Sequence, residues 1–144
     1  MSKSGKNYVP ASLRKQVRER ANTRCEYCLE LEYFATASFH IDHIISEQHD
    51  GLTVVENLAF ACGPCNLFKG PNLVTTLPGH EGYINLFHPR KELWADHFVL
   101  EPDGSIKGLT LTGTATAKLL NFNTTEQLIA RKRLIDIGAM KVSN

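Results

Sequence analysis

Four cysteines set the strongest limit on what this chain can fold into. Cys25 and Cys28 form one C-x-x-C pair, Cys62 and Cys65 form a second, and no cysteine is left over. Zinc prefers four thiolates in a tetrahedron, and each C-x-x-C unit turns two sulfurs toward one ion. The 33 residues between Cys28 and Cys62 exceed a simple zinc ribbon. The intervening chain must therefore fold back until the two knuckles meet. A redox-active C-x-x-C is the competing reading, but a thioredoxin-like site needs one such motif after a strand. Two motifs and no fifth cysteine favour a structural zinc. Four protein ligands leave it no open position, so this metal should clamp rather than catalyse.

The same pairing bears on compartment. Met1 to Pro10 is polar and lacks the apolar core of a signal peptide. No apolar run approaches the ~20 residues needed to cross a bilayer. A cytoplasmic protein with no membrane partner is expected. In a reducing compartment, paired C-x-x-C units read as metal ligands more readily than as disulfides. The length of 144 residues suits a single domain over 1–144.

A net charge of +1 conceals an uneven distribution. Lys3, Lys6, Arg14, Lys15, Arg18, Arg20 and Arg24 face one acid, Glu19, before Cys25. From Cys25 to Lys69 there are seven acids and one base. Arg131, Lys132, Arg133 and Lys141 oppose Asp136 near the end. Binding nucleic acid needs local positive charge rather than a high total, and the two basic ends supply it. The alternative is a solvated helix face at each end.

Periodicity places the elements. Leu13, Val17 and Ala21 recur every four residues after Pro10, which predicts a helix over residues 10–22 behind a loose arm at 1–9. Residues 35–42 read as a strand, with His40 and Asp42 on one face. A polar loop from Ser46 to Asn57 leads to a short strand, Leu58-Ala59-Phe60. Gly63 and Pro64 turn the second knuckle, and Asn66 to Lys69 forms a short helix ended by Gly70-Pro71. Residues 72–92 read as irregular. Pro102-Asp103-Gly104 predicts a hairpin turn between His97–Leu100 and Ser105–Thr110. A helix is expected over 114–120, and Thr124-x-x-Gln127 resembles a capping box opening a last one.

Chemistry concentrates between the knuckles. Asp42 and His43 adjoin at a strand end. A carboxylate suits Mg²⁺ or a similar hard ion, and a neutral imidazole suits proton abstraction from water. Asn66 offers a second oxygen ligand, Asn57 can orient His43 or pin the loop, and Lys69 can approach a phosphate. Taken singly, each residue has a plainer reading as a turn or surface residue.

The combination does not. C-x-x-C, Ile41-Asp42-His43-Ile44, Glu56-Asn57-Leu58 and C-x-x-C-Asn66-x-x-Lys69 follow in that order. Over this core motif, residues 25–69, the chain resembles the HNH endonucleases, the His-Me finger proteins with a ββα-metal fold. Leu86-Phe87-His88-Pro89-Arg90, Trp94-x-x-His97-Phe98 and Gly108-Leu109-Thr110 look like the small stand-alone bacterial members.

The resemblance implies an α+β fold: a ββα-metal core with a structural zinc, an N-terminal helix, and a C-terminal hairpin plus helices. It implies His43 as general base, Asn57 as the asparagine that positions loop and base, and Asp42 with Asn66 as ligands of catalytic Mg²⁺ or Mn²⁺. The cysteines would hold the zinc of one branch of the family. The third letter of the family's name is often histidine; here Asn66 takes that place. Metals aside, no small-molecule cofactor is expected. The expected function is metal-dependent hydrolysis of DNA phosphodiesters, with Arg14, Arg18, Lys69 and the Arg131–Arg133 cluster near phosphates. The rival is a non-catalytic zinc module that binds nucleic acid or a protein; a nuclease of RNA is a third option. His40 is a candidate third ligand or helper of Asp42, His49 and Arg90 are candidate substrate contacts, and His88, His97 and Trp94 read as structural. Cutting both strands at once would need two active sites, and the sequence leaves the number of subunits open.

Overall fold

The structure, a computed structural model, describes residues 8–143. Lys3, Lys6 and most of the expected N-terminal arm lie outside them. The described residues form two compact units, divided between Leu73 and Val74.

The N-terminal unit opens with α1 (Ala11–Arg20). Pro10 sits at the cap rather than within the first turn, and Val17 is the helix's fully buried residue. Arg20, which the helical pattern turns toward solvent, instead donates to the carbonyls of Val55 (2.8 Å) and Leu58 (2.6 Å). Strands β1 (His40–His43) and β2 (Leu58–Ala61) pair antiparallel, with His40 opposite Ala61 and Asp42 opposite Ala59. The expected strand over 35–42 is shortened at its start. Glu32 closes a 3-10 turn (Glu32–Phe34), and its carboxylate accepts from the Phe39 amide, which bends the chain before β1. Helix α2 (Gly63–Lys69) starts three residues earlier than expected. Cys62 is its cap and Pro64 lies in its first turn, where a missing N–H costs nothing. The second knuckle is therefore the helix's own first turn.

The C-terminal unit corrects the reading of 72–92 as irregular. Strands β3 (Val74–Thr75) and β4 (Ile84–Asn85) pair there, and α3 (Trp94–His97) follows. The hairpin β5 (Phe98–Leu100) and β6 (Ile106–Gly108) forms as expected. Gly104 closes it at φ +90°, and a Cβ there would lie 2.5 Å from the Leu128 carbonyl oxygen. Both the positive φ and the close approach require glycine. Helix α4 (Leu111–Leu119) is capped by Thr110, and α5 (Thr125–Asp136) by Thr124, whose hydroxyl accepts from the Gln127 amide.

Aromatic rings fill this unit's core. Phe98 lies 5.3 Å from Phe87, 5.6 Å from Phe122 and 5.1 Å from Trp94, ring centre to ring centre. His97 is held between Glu92 (3.0 Å) and Thr110 (2.7 Å), and His88 receives the Arg90 amide. No helix among the described residues is long and apolar enough to cross a membrane.

Candidate metal centre and active site

The four sulfurs converge although the cysteine pairs are far apart in sequence. Cys25, Cys28, Cys62 and Cys65 are buried, and their Sγ atoms all lie within 4.8 Å of one another. Cys28 and Cys62 approach to 3.6 Å. A disulfide requires about 2 Å between sulfurs. Zn–S bonds of about 2.3 Å in a tetrahedron place sulfurs about 3.8 Å apart. The spacing thus fits a structural metal such as zinc.

The protonation balance points the same way. Burial pushes the Cys25 thiol up, but hydrogen bonds from the other three cysteines together hold it well below the ordinary thiol value. Hydrogen bonding with Cys25 and Cys62 pushes Cys28 well up, and hydrogen bonding with Cys25, Cys28 and Cys62 does the same for Cys65. Buried thiolates at this spacing repel one another, so a cation is needed to hold them together.

The first knuckle is sewn to the small sheet. Glu26 donates its amide to the Phe60 carbonyl (2.9 Å), and its carboxylate accepts from the Phe60 amide (2.8 Å). This fixes Tyr27, inside the C-x-x-C, so that its hydroxyl donates to Asp42 Oδ2 at 2.8 Å. The knuckle and the proposed metal-binding carboxylate are therefore joined by one side chain. In the sequence, Tyr27 carries one signal of this role, its place between two cysteine ligands.

Asp42 is buried, and so is its second partner. Lys69, the last residue of α2, places Nζ 3.2 Å from Asp42 Oδ2 and 3.0 Å from the Ile44 carbonyl. Only 2% of Lys69 is exposed. This corrects the expectation that Lys69 approaches a phosphate: its ammonium faces inward because a buried carboxylate and the carbonyls ending β1 need a cation. Burial pushes the Asp42 carboxyl above the usual carboxylate range, against the opposing pull of Lys69 and Tyr27. Burial, and then the Asp42 charge, pushes the Tyr27 phenol well above its ordinary value.

His43 is half-buried at the end of β1, and its Nε2 lies 2.9 Å from Thr53 Oγ1. Asn57 is buried and clamps the loop. Its Oδ1 accepts from the Ile45 amide, and its Nδ2 donates to the carbonyls of Ile45 and Leu52, each at 2.9 Å. Of the two roles considered for Asn57, pinning the loop is the one its side-chain bonds perform. Asn66 is half-buried in α2, one residue beyond Cys65. His40 and His49 are exposed, and Arg90 is half-buried in the C-terminal unit. Among the described residues, the cysteine cluster is the sole grouping of three or more His, Cys, Asp or Glu side chains placed to share a metal. Asp42 and Asn66 nonetheless offer hard oxygen donors, and Asp42 already faces a cation.

The order of knuckle, strand, clamped loop, strand and knuckle-capped helix is now complete. Residues 25–72 match the family model for HNH endonuclease. The match covers about a third of the chain and spans every residue of the site just described. The segment is thus an HNH domain, with an α+β core and a four-cysteine metal site. No curated protein and no solved structure matches the chain.

The basic residues divide. Arg14, Lys15 and Arg18 line a groove of about 580 Å³ beside α1, together with Glu32, Ser38 and Phe39. Arg18 is also paired with Glu32 at 2.6 Å. In the C-terminal unit the expected phosphate-binding cluster does not form. Arg131 is 0% exposed and donates to the carbonyls of Gly104 (2.6 Å) and Phe122, and to Asn123 (3.1 Å). Lys132 is exposed and paired with Asp136 at 2.6 Å, and Arg133 is the exposed one of the two arginines. Helix α5 turns Arg131 toward the β5–β6 turn, where carbonyl oxygens need donors.

Proposed function

We propose that the HNH domain is a metal-dependent endonuclease that hydrolyses DNA phosphodiesters. The observation that carries this reading is the placement of His43 beside buried Asp42, at the end of a strand braced by a four-cysteine clamp. In this reading His43 takes a proton from water, a contribution of about 10²–10⁴ in rate. Asp42 and Asn66 hold the divalent ion, Mg²⁺ or Mn²⁺. When bound, that ion supplies charge to offset the developing negative charge on the leaving oxygen. Asn57 keeps the loop in the shape that His43 requires. Arg14 and Arg18, with Lys15 between them, offer cations along one groove for the phosphate backbone, so affinity should fall with salt. Backbone contacts carry little sequence information, so intrinsic specificity should be weak.

One observation favours a second reading, a non-catalytic zinc module that binds nucleic acid or a protein. Asp42 is paired with Lys69 and Tyr27, an arrangement that also stands as a purely structural bond. Incubation with supercoiled plasmid across Mg²⁺, Mn²⁺ and EDTA separates the two. Metal-dependent nicking or linearisation supports the nuclease. DNA binding without cutting under every metal supports the module. Competition with RNA tests the choice of DNA.

A further inference from the structure

We propose that Tyr33 and Phe34, beside the basic groove of α1, form a stacking platform for unpaired bases, so that the N-terminal unit takes DNA with a single-stranded segment. The inference rests on the reading of this unit as a DNA nuclease, and adds to it the class of DNA and the residues that select it.

Apolar side chains exposed singly are ordinary, whereas an adjoining pair of rings on a fixed turn marks a contact surface. Tyr33 is 84% exposed and Phe34 51%, side by side in the 3-10 turn before β1. Their rings meet edge to face, with centres 5.0 Å apart. The turn is tied down on several sides. The Glu32 amide donates to the Thr23 carbonyl (2.9 Å), and Arg24 and Leu31 form a β-bridge. The Glu32 carboxylate accepts from Arg18 (2.6 Å) and from the Phe39 amide (3.1 Å). The Cys25 amide donates to the Glu30 carbonyl (2.8 Å), which joins the same segment to the first knuckle. The rings are therefore held toward solvent on a frame shared with α1 and the cysteine clamp, and a ligand need order little backbone to use them.

The groove beside the turn supplies the charge. Arg14, Lys15 and Arg18 line it, as do Glu32, the residue before Tyr33, and Phe39, the residue before β1. Its acids are Glu19 and Glu32, and Arg18 already offsets Glu32. Arg14 and Lys15 are exposed. Cations beside open rings are what holds a single strand: phosphates meet the cations while bases stack on the rings. A duplex hides its base faces in its own stack, so it can use the cations but not the rings. A protein partner fits less well. Two rings are few against the roughly 20–30 residues a side of a standard interface, whose core is depleted of charge. Strand β1 runs from His40, next to Phe39, to His43, four residues or roughly 13 Å. The groove and the proposed base thus lie toward opposite ends of one short strand.

The test is equilibrium binding by the zinc-loaded chain, without added Mg²⁺ or Mn²⁺, to a labelled mixed-sequence DNA single strand, its blunt duplex, and RNA of the same sequence. The parent should bind the DNA single strand at least about tenfold more tightly than the duplex. Tyr33→Ala and Phe34→Ala should each weaken single-strand binding by about five- to a hundredfold and leave duplex binding within about twofold. Tyr33→Phe should bind as the parent does. Tyr33→Leu keeps apolar surface without a ring and should lose as much as Tyr33→Ala. Arg14→Ala should weaken both DNA forms. Far-UV dichroism and zinc content equal to the parent's show that each variant is folded. Duplex bound as tightly as single strand overturns the proposal, as do ring variants that weaken both forms alike and full binding by Tyr33→Leu. Tighter binding of RNA than of DNA overturns it too, and so do ring variants that change neither form, the result expected of a protein-docking surface. If the parent binds as expected but cuts no nucleic acid, the nuclease reading falls and the platform stands. If plasmid is cut while the ring variants bind single strands normally, the platform falls and the nuclease reading stands.

Discussion

Among the described residues, each unit buries one cation on a helix, and the two are held differently. Lys69 on α2 faces a carboxylate, Asp42, and carbonyls at the end of β1. Arg131 on α5 faces neutral oxygens: the carbonyls of Gly104 and Phe122 and the amide of Asn123. Both helices turn apolar residues outward, with Leu67 74% exposed beside Lys69 and Ile129 half exposed near Arg131. The difference separates an ion pair from a charge held by neutral acceptors. Under the proposed function the carboxylate would pass from the ammonium to a metal, whereas the carbonyls held by the guanidinium join the hairpin to a helix. The N-terminal unit also holds the buried cysteine cluster, where the C-terminal unit packs Phe87, Trp94 and Phe122 around Phe98 in edge-to-face and tilted contacts.

Metal removal should break this comparison most sharply. Structural zinc contributes roughly 10 kcal/mol or more to folding of small zinc domains at neutral pH. Chelation, or Cys62→Ser, should therefore unfold the N-terminal unit. Trp94, the chain's single tryptophan, packs on Phe98 in the other unit, so its fluorescence should hold while far-UV dichroism partly falls.

Lys69→Met comes next. It leaves a buried carboxylate unpaired, a loss of about 3–5 kcal/mol in urea unfolding. Replacing both partners, Lys69→Met with Asp42→Leu, should recover much of that stability while ending any metal binding that depends on Asp42. Arg131→Met should cost less, about 2–3 kcal/mol, since it leaves neutral acceptors without their donor. DNA affinity should be unchanged in that variant. If Arg131→Met weakened DNA binding while leaving stability intact, the contrast between the two cations would be wrong.

The smallest effects belong to the α1 groove. Arg14→Ala should lower the slope of log affinity against log salt by about 1, the value for one phosphate contact. Arg18→Ala should do less, because Arg18 already spends part of its charge on Glu32. Equilibrium binding across a salt series reads both.

Local patterns made much of this readable from sequence. Cysteine spacing announced the clamp, Asp42-His43 the strand end, and Thr124-x-x-Gln127 the last helix. What escaped was set by partners far along the chain. Lys69 carries no local sign that it points inward, since its carboxylate partner lies 27 residues away. Arg131 reads as part of a basic run until the β5–β6 turn brings Gly104 beneath it. Thr53 sits in a polar loop whose shape depends on Asn57, so neither its contact with His43 nor its register is visible in composition. The β3–β4 pair escaped because strands of two residues leave too short a pattern to detect.

The central claim is that the cysteines clamp while His43 does the chemistry. It is tested most directly by measuring single-turnover plasmid cleavage and bound zinc together, in the parent and in His43→Ala. The account predicts one zinc per chain in both proteins, with cleavage lowered at least about a hundredfold in the variant. Equal cleavage by the two proteins at equal zinc content would contradict it.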